Sequence, residues 1–330
     1  MYSILKVAIV ILNWNGKELL EKFLPSVTQY SESAEVYVAD NASTDDSVAF
    51  IKLKFPKVKI IENATNGGYA KGYNDALQQV DADVFCLLNS DVEVTPNWLN
   101  PIISEFEIND STAIIQPKIL DYKNRTFFEY AGAAGGFIDQ YGYAYCRGRI
   151  FDTIEKDDHQ YDNDLEIFWT SGACFFIRKS IFEILGGFDE SYFAHYEEID
   201  LCWRAFNAGF KAKYIGASTV YHVGGATLNT VNPKKTYLNF RNSLFTLTKN
   251  AEGVLFGIIF TRLTLDGIAG LRFLLRLKFA HFVAILRAHF SFYWHLPRLL
   301  SERKKLPKRK NYFKTKSIVW SYFVKKRYYY

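Results

Sequence analysis

Residues 83–93 read D-V-F-C-L-L-N-S-D-V-E, and the fold follows from how this stretch is read. The apolar residues Val84 to Leu88 end abruptly in Asn89-Ser90-Asp91. Such a run predicts a strand buried on both faces with a polar cluster at its carboxyl end. Open α/β sheets bind ligands at that edge. Asp91 on a short turn, with Glu93 close behind, can take a hard divalent cation that also draws on phosphate oxygens. Taken alone, the segment is better accounted for as a strand followed by an Asx turn.

Upstream, the chain repeats one unit. Val7–Leu12 is a short β-rich run, and Lys17–Tyr30 carries Leu19, Leu20, Phe23, Leu24 and Val27 at helical spacing. A second strand, Glu35–Ala39, reaches Asp40; Asn41 and Ser43 offer caps for a helix through Val48 and Ile51 that Pro56 closes. A third strand, Val58–Ile61, leads through the turn Asn66-Gly67-Gly68 to a helix carrying Tyr69, Tyr73, Ala76, Leu77 and Val80. Strands alternating with helices predict a parallel sheet with right-handed crossovers. Its strands end in Asn13-Trp14-Asn15, Asp40-Asn41, Glu62-Asn63 and Asn89-Ser90-Asp91, so these groups converge on one edge.

Those residue types describe a nucleotide diphosphate site. Trp14 gives a flat apolar face for a base, Asp40 can accept hydrogen bonds from base or ribose, and Asp91 can hold a cation bridging two phosphates. Gly67-Gly68 lets backbone amides approach an anion. A dinucleotide fold is excluded, because the first βα turn lacks G-x-G-x-x-G and G-G-Y-A-K-G stands at the wrong place and spacing. There is no P-loop string.

With 330 residues, 49% hydrophobic and 23% charged, the chain can bury a full core and is not disordered. From Arg298 to Tyr330, twelve Lys or Arg face one acid, Glu302; this local +11 within a net +5 leaves about −6 on the remainder. Cys86, Cys146, Cys174 and Cys202 form no C-x-x-C pair, which predicts neither a zinc site nor a disulfide framework, and a reducing compartment. The run Ile4–Leu12, interrupted by Lys6 and lacking a small-residue cleavage site, reads as the first strand rather than a signal peptide.

Downstream, Ala113–Leu120 predicts a strand broken by Pro117, and Tyr130–Gly148 predicts a long loop over the site. Trp169-Thr170-Ser171-Gly172 leads into a strand, Cys174–Ile177. A helix beginning at Glu197-Glu198 has Ile199, Cys202, Trp203 and Phe206 on one face and stops near Gly209. A carboxylate at that helix start can remove a proton from a hydroxyl; an acidic first turn with an Asp200–Arg204 pair is the plainer reading. Strands Lys211–Ile215 and Ser218–Val223 follow, and His222 becomes a ligand candidate only if Asp91 lies beside it.

Eight strings in unbroken order between residues 4 and 228 resemble family-2 glycosyltransferases of the GT-A fold, with rhamnosyltransferase-like polysaccharide-building enzymes the nearest subgroup. They are V-I-L-N-W-N-G (10–16), V-A-D-N-A-S-T-D-D-S (38–47), N-G-G-Y-A-K-G-Y-N (66–74), L-L-N-S-D-V (87–92), S-G-A-C-F-F-I-R (171–178), G-G-F-D-E (186–190), E-E-I-D-L-C-W-R (197–204) and Y-H-V-G-G (221–225). The resemblance implies an inverting transfer from a dTDP-, UDP- or GDP-sugar to a glycan or lipid-linked acceptor. It places Asn13, Trp14, Asn15, Asp40, Asn66, Gly67, Gly68, Lys71, Asn74, Asn89 and Ser90 around the donor nucleotide. Asp91, at the place of the D-x-D motif, and His222 would ligate Mg²⁺ or Mn²⁺. Glu198 would be the catalytic base, with Glu197 its rival, and Trp169, Ser171 and Gly172 would shape the sugar and acceptor pocket. Two positions depart from the family pattern: Asn89 replaces the first aspartate of D-x-D, and Glu198 is one methylene longer than the usual aspartate.

The expected organisation is a catalytic domain over residues 1–228 and a helical, basic region over 229–330. Gly253–Leu300 is apolar but punctuated by Arg262, Asp266, Arg272, Arg276, Lys278 and Arg287, which disfavours a spanning helix and suits one lying in a membrane interface. The +11 tail with Trp320, Tyr322 and Phe323 suits an anionic surface on the cytoplasmic side of the plasma membrane, where the protein would sit peripherally. A helical subdomain with a solvated, disordered tail is the alternative; no nucleic-acid motif occurs. Two other functions compete. A nucleotidyltransferase would carry a glycine-rich first turn where Asn13-Trp14-Asn15-Gly16 stands, and a catalytically inactive nucleotide-sugar-binding or assembly protein would keep the fold without the chemistry.

Overall fold

The computed structural model describes residues 5–224 and 232–330. The expected boundary between 228 and 229, Gly225 of the last matched string and Ile4 lie outside the described residues. The chain opens with β1 (Val7–Asn13), α1 (Lys17–Tyr30), β2 (Ala34–Asp40), α2 (Ser47–Lys54), β3 (Lys59–Glu62), α3 (Gly68–Leu77) and β4 (Val84–Asn89). It continues through β5 (Val92–Val94), α4 (Asn100–Ile108), β6 (Thr112–Asp121), β7 (Gly136–Ile138), β8 (Ala144–Cys146), β9 (Arg149–Ile150) and β10 (Thr153–Ile154). Then follow β11 (Leu165–Ile167), β12 (Cys174–Arg178), α5 (Lys179–Ile184), α6 (Glu197–Asn207) and β13 (Lys211–His222). The helices α7 (Pro233–Asn250), α8 (Leu255–Leu275), α9 (Phe279–Lys305) and α10 (Ile318–Phe323) close the chain.

The main sheet runs in the order β11-β13-β6-β12-β4-β1-β2-β3, with β5 beside β13. The first four strands are parallel, as their βα repeats require. Beyond β4 the sheet is mixed: β12 lies antiparallel to both β4 and β6, and β11 and β5 antiparallel to β13. Side chains alternate along β1, β4 and β12. Ala8, Val10, Phe85, Leu87, Phe175 and Ile177 face the layer containing α3 and α6, whereas Val7, Ile9, Cys86, Leu88, Cys174 and Phe176 face α1, α2 and α4. With a core on each face, the strands read as continuous apolar runs.

Four expectations are corrected. Pro117 does not break its strand: β6 is continuous, and the neighbouring β13 shifts register between Ile215, opposite Pro117, and Thr219. A bulge there tolerates a residue with no N–H to donate, and it makes one strand of the two expected over 211–223. The 130–148 segment is not an unstructured loop, because β7, β8, β9 and β10 form a small antiparallel sheet. Asn41 and Ser43 do not cap α2; Asp45 accepts from Ser47 N at 3.1 Å, while Asn41 and Ser43 tie strand ends together.

The basic tail, finally, is not a solvated, disordered one. Tyr312 Oη donates to the Gln140 carbonyl at 2.7 Å, and buried Ile318 donates its N–H to Asp139 at 2.9 Å. Tyr322 and Thr153 share a hydrogen bond of 2.8 Å, and the Tyr330 ring stacks on Phe137 with centroids 5.1 Å apart. The tail thus wraps the small sheet, with Tyr312 buried and Tyr322 half-buried against it while its lysines reach solvent.

Candidate active site

The carboxyl edge of β1 and β2 is a web of short polar contacts. Asn13 donates to Asp40 at 3.1 Å and to Ser43 at 3.2 Å, and the second Asp40 oxygen accepts from Ser43 N at 2.9 Å. Asn15, in a left-handed conformation, accepts from Thr44 N at 2.7 Å. Between these anchored neighbours Trp14 stands 52% exposed, a large ring with one face free for a ligand. Asn66 accepts from Gly68 N at 3.0 Å and from Asn41 at 2.9 Å, which sets the turn into α3. Gly68 has φ +82°, and a Cβ there would sit 2.5 Å from the Phe193 carbonyl, so only glycine fits.

The second cluster grows from β4 and β13. Asn89 N donates to the Ala173 carbonyl at 2.9 Å, and the chain then turns at Ser90 to bury Asp91. His222, at the end of β13, pairs across β5 with Val92, and this register brings its Nε2 to 3.1 Å from Asp91. Its Nδ1 faces Glu129 at 3.4 Å. Burial lowers the His222 pKa, but Glu129 and Asp91 outweigh it and raise it to about 10. Glu93 plays no part, being paired with Arg125 at 2.9 Å.

The third element is the start of α6. Glu197 is buried and Glu198 half-buried, and Oε2 of each lacks a hydrogen-bond partner. Burial pushes the Glu198 pKa up to about 7, against the pull of backbone N–H groups at the helix start. Burial and the neighbouring Glu198 charge raise Glu197 well above the usual carboxylate range. Phe193, His195 and Tyr196 all have positive φ, and Asn242 on α7 donates to the carbonyls of Tyr192, Ala194 and His195 at 2.7 to 3.1 Å.

Contacts between elements draw the clusters together. Tyr69 N donates to the Phe193 carbonyl at 3.0 Å, and Tyr69 Oη donates to the Gly172 carbonyl at 2.9 Å, so α3 touches both the approach to α6 and the turn before β12. Other expected site residues are engaged by protein partners. Trp169 is buried and donates to the Phe137 carbonyl at 2.8 Å; Ser171 is buried, its N–H held by Gln116 at 2.7 Å. Asn74 is engaged with both N and O of Phe188 at 2.9 Å, and Lys71 pairs with Asp75 at 2.9 Å. Gly172 alone of the turn's expected residues stays half-exposed.

Sequence reasoning missed Glu129, Asn242, Lys249 and Asn250. Lys249 lies 2.6 Å from Asp189 and 3.1 Å from Asp200, and Asn250 donates to Asp200 at 2.8 Å; Arg204 completes the cluster at 2.8 Å. Asp189 and Asp200 stood in the matched strings, but their partners come from α7, fifty residues away in an unrelated pattern.

Among the described residues no group of three or more His, Cys, Asp or Glu could hold a metal ion by itself. One carboxylate and one imidazole side by side do suit a Mg²⁺ or Mn²⁺ ion that takes the rest of its shell from phosphate oxygens and water.

A family model described as "Glycosyl transferase family 2" matches residues 8–186, more than half of the chain. An N-acetylglucosaminyl-diphospho-decaprenol L-rhamnosyltransferase from Mycobacterium tuberculosis is 26% identical over 230 residues, 65% of this chain and 75% of that protein. Among solved structures, GalNAc-T7 with UDP, GalNAc and Mn²⁺ is similar at a TM-score of 0.59 and 17% identity, covering 76% of this chain and 49% of that one. The mannosyltransferase PcManGT from Pyrobaculum calidifontis, with GDP-Man and Mn²⁺, is similar at 0.57 and 12% identity, covering 89% and 88%. These two likenesses speak for the fold, and the family match for the chemistry: the chain belongs to glycosyl transferase family 2 and is a glycosyltransferase of GT-A fold.

Proposed function

We propose that this chain transfers a sugar, with inversion, from a nucleotide-diphosphate sugar to a hydroxyl of a glycan or lipid-linked acceptor in cell-surface polysaccharide synthesis. The observation that carries the reading is the convergence of the Asn13–Asp40 web with exposed Trp14, the Asp91–His222 pair and the Glu197–Glu198 helix start around α3. The relative's printed name, with its diphospho-decaprenol acceptor, favours a lipid-linked one met at an anionic, cytoplasmic membrane face. Residues 1–228 would form the catalytic domain and 229–330 the helical region beside it.

In this reading Trp14 stacks on the base and Asp40 accepts from base or ribose. Asp91 and His222 would hold Mg²⁺ or Mn²⁺, which when bound would supply positive charge opposite the departing diphosphate. Glu198, less buried than Glu197 beside it, takes the acceptor proton. The acceptor oxygen bonds to the anomeric carbon as the bond to the diphosphate oxygen breaks, and the nucleotide diphosphate leaves with the electron pair. No covalent enzyme intermediate forms. Asn74, Trp169 and Ser171, spent on protein partners, support the pocket rather than touch the sugar.

The test is a thermal-shift panel of UDP, GDP, dTDP and CMP, with and without Mn²⁺ or Mg²⁺. A ligand bound only by the folded state at a hundredfold excess over its Kd adds about 2.7 kcal/mol. One diphosphate should stabilise the protein with metal, and Asp91→Ala should abolish the metal's share; no response to any nucleotide defeats the reading.

A further inference from the structure

The helices α8 and α9, joined by the three residues Arg276–Lys278, fold back on each other. Their inward positions recur every three or four residues: Ile258, Arg262, Asp266 and Gly270 on α8, and His281, Ala284, Ile285, Ala288 and Phe292 on α9. The outward positions should then be charged, as on any solvated helix. They are not. Phe256, Phe260 and Leu275 on α8, and Phe279, Phe290 and Trp294 on α9, are between 56% and 84% exposed. Six large apolar side chains left this exposed on one pair of packed helices mark a docking surface.

Charge identifies what it docks to. Between residues 255 and 300 the exposed charges are Arg272, Arg276, Lys278 and Arg287, and the one acid in the span, Asp266, is fully buried at 2.8 Å from Arg262. Apolar rings flanked by cations, with no exposed acid, complement an anionic lipid surface. A second copy of the chain would bring four like charges against four, which costs association. No helix among the described residues is long and apolar enough to cross a membrane, so a bilayer would receive the pair lying in its plane.

The connection at 276–278 also lies near the candidate active site. Just beyond it, His281 Nδ1 and Thr236 Oγ1 share a 2.8 Å hydrogen bond that ties the start of α9 to the first turn of α7. In that same turn Lys234 lies 5.0 Å from the Phe193 ring, and Phe193 in turn touches Gly68 and Tyr69. We propose that the outward face of the α8–α9 pair seats on an anionic bilayer, with Arg276 and Lys278 among the headgroups. The catalytic edge is then presented to acceptors anchored in the same leaflet. The second half of this inference rests on the transferase reading above; the first does not.

Full-length protein is mixed with vesicles of phosphatidylcholine alone, or with about 30% phosphatidylglycerol, and floated on a density gradient at low and high salt. It should float with the anionic vesicles only. Phe290→Ser/Trp294→Ser and Arg276→Glu/Lys278→Glu, all at exposed positions, should each weaken binding about tenfold. Both variants should keep the wild-type melting temperature and the nucleotide-induced shift, and lose turnover with a vesicle-embedded acceptor but not with a short water-soluble one. Wild-type protein that stays unbound to anionic vesicles at low salt overturns the inference, as does a dimer in light scattering that Phe290→Ser/Trp294→Ser dissolves. Vesicle binding without any nucleotide response would sink the transferase reading and leave the docking surface standing.

Discussion

Nε2 of His222 stands 3.1 Å from Asp91 while its other ring nitrogen faces buried Glu129 at 3.4 Å. A histidine that ligates a cation through one nitrogen needs its other N–H held, which fixes ring orientation and raises ligand basicity. Glu129 is placed to do this, and Gly224, whose Cβ would come within 2.9 Å of the Glu129 carboxylate, leaves it room. Glu129→Gln should weaken Mn²⁺ affinity about 10- to 100-fold, read as the metal dependence of the UDP- or GDP-induced thermal shift. His222→Ala should weaken it at least as much. Unchanged metal titration in Glu129→Gln would leave Glu129 a purely structural partner.

The raised pKa of Glu198 carries a pH signature in two measurements. A base must be ionised, so kcat should rise with pH through about 7 and level above it. Stability moves the other way. Above the ordinary carboxylate pKa the unfolded chain ionises Glu198 readily while the fold resists, so stability falls as pH climbs from about 4.5 toward 7. Glu198→Gln should therefore lose turnover by about 10²- to 10⁴-fold yet melt higher than wild type at pH 8, by on the order of 2 kcal/mol, with the gap closing toward pH 4.5. Thermal melts across that range, beside assays of Glu197→Gln, separate the two carboxyls.

Most of the amino-terminal half was legible because each signal there is local. Continuous apolar runs and the βα repeat placed β1 to β4, and polar residues at strand ends gathered at one edge because parallel neighbours share it. What stayed hidden is long-range. That Pro117 sits opposite a bulge depends on a strand nearly a hundred residues later, and the small sheet over 136–154 is built of two- and three-residue strands too short to show a period. Trp169 resembled a pocket residue by its place in the turn before β12, yet its indole N–H is committed to the Phe137 carbonyl and its ring covers Gly136.

Asn242 holds the strained backbone segment that leads into Glu197-Glu198. Its amide is fully buried, and its acceptors, the carbonyls of Tyr192, Ala194 and His195, belong to a segment in which Phe193, His195 and Tyr196 all lie at positive φ. Such conformations persist only where the surroundings enforce them. Asn242→Ala removes the side-chain donor of the Ala194 and His195 carbonyls, while that of Tyr192 keeps Ala194 N at 2.8 Å and Arg241 at 3.1 Å, and should cost about 1 to 3 kcal/mol. Because the segment leads directly into Glu197-Glu198, kcat should fall with little change in donor binding. A parallel loss of nucleotide-induced stabilisation would show instead that the whole edge had collapsed.

Lys249 joins α7 to the catalytic layer through charge. It is buried between Asp189 at 2.6 Å and Asp200 at 3.1 Å, with Arg204 also on Asp200. Burial raises the Asp189 pKa, but Lys249 and Ser191 more than reverse this and hold it at about 2. A carboxyl depressed on folding adds stability above its unfolded pKa, near 4, and loses it as pH falls toward 2. Lys249→Met keeps the volume and removes the charge, leaving two buried carboxylates with one cation. It should destabilise the fold by about 3 to 5 kcal/mol at pH 7 in urea titrations, and by progressively less below pH 4 as the orphaned carboxyls protonate. Adding Asp189→Leu to it should restore part of the loss, since an apolar pair in place of a broken ion pair carries no stranded charge. A loss independent of pH would assign the effect to packing of the lysine stem alone.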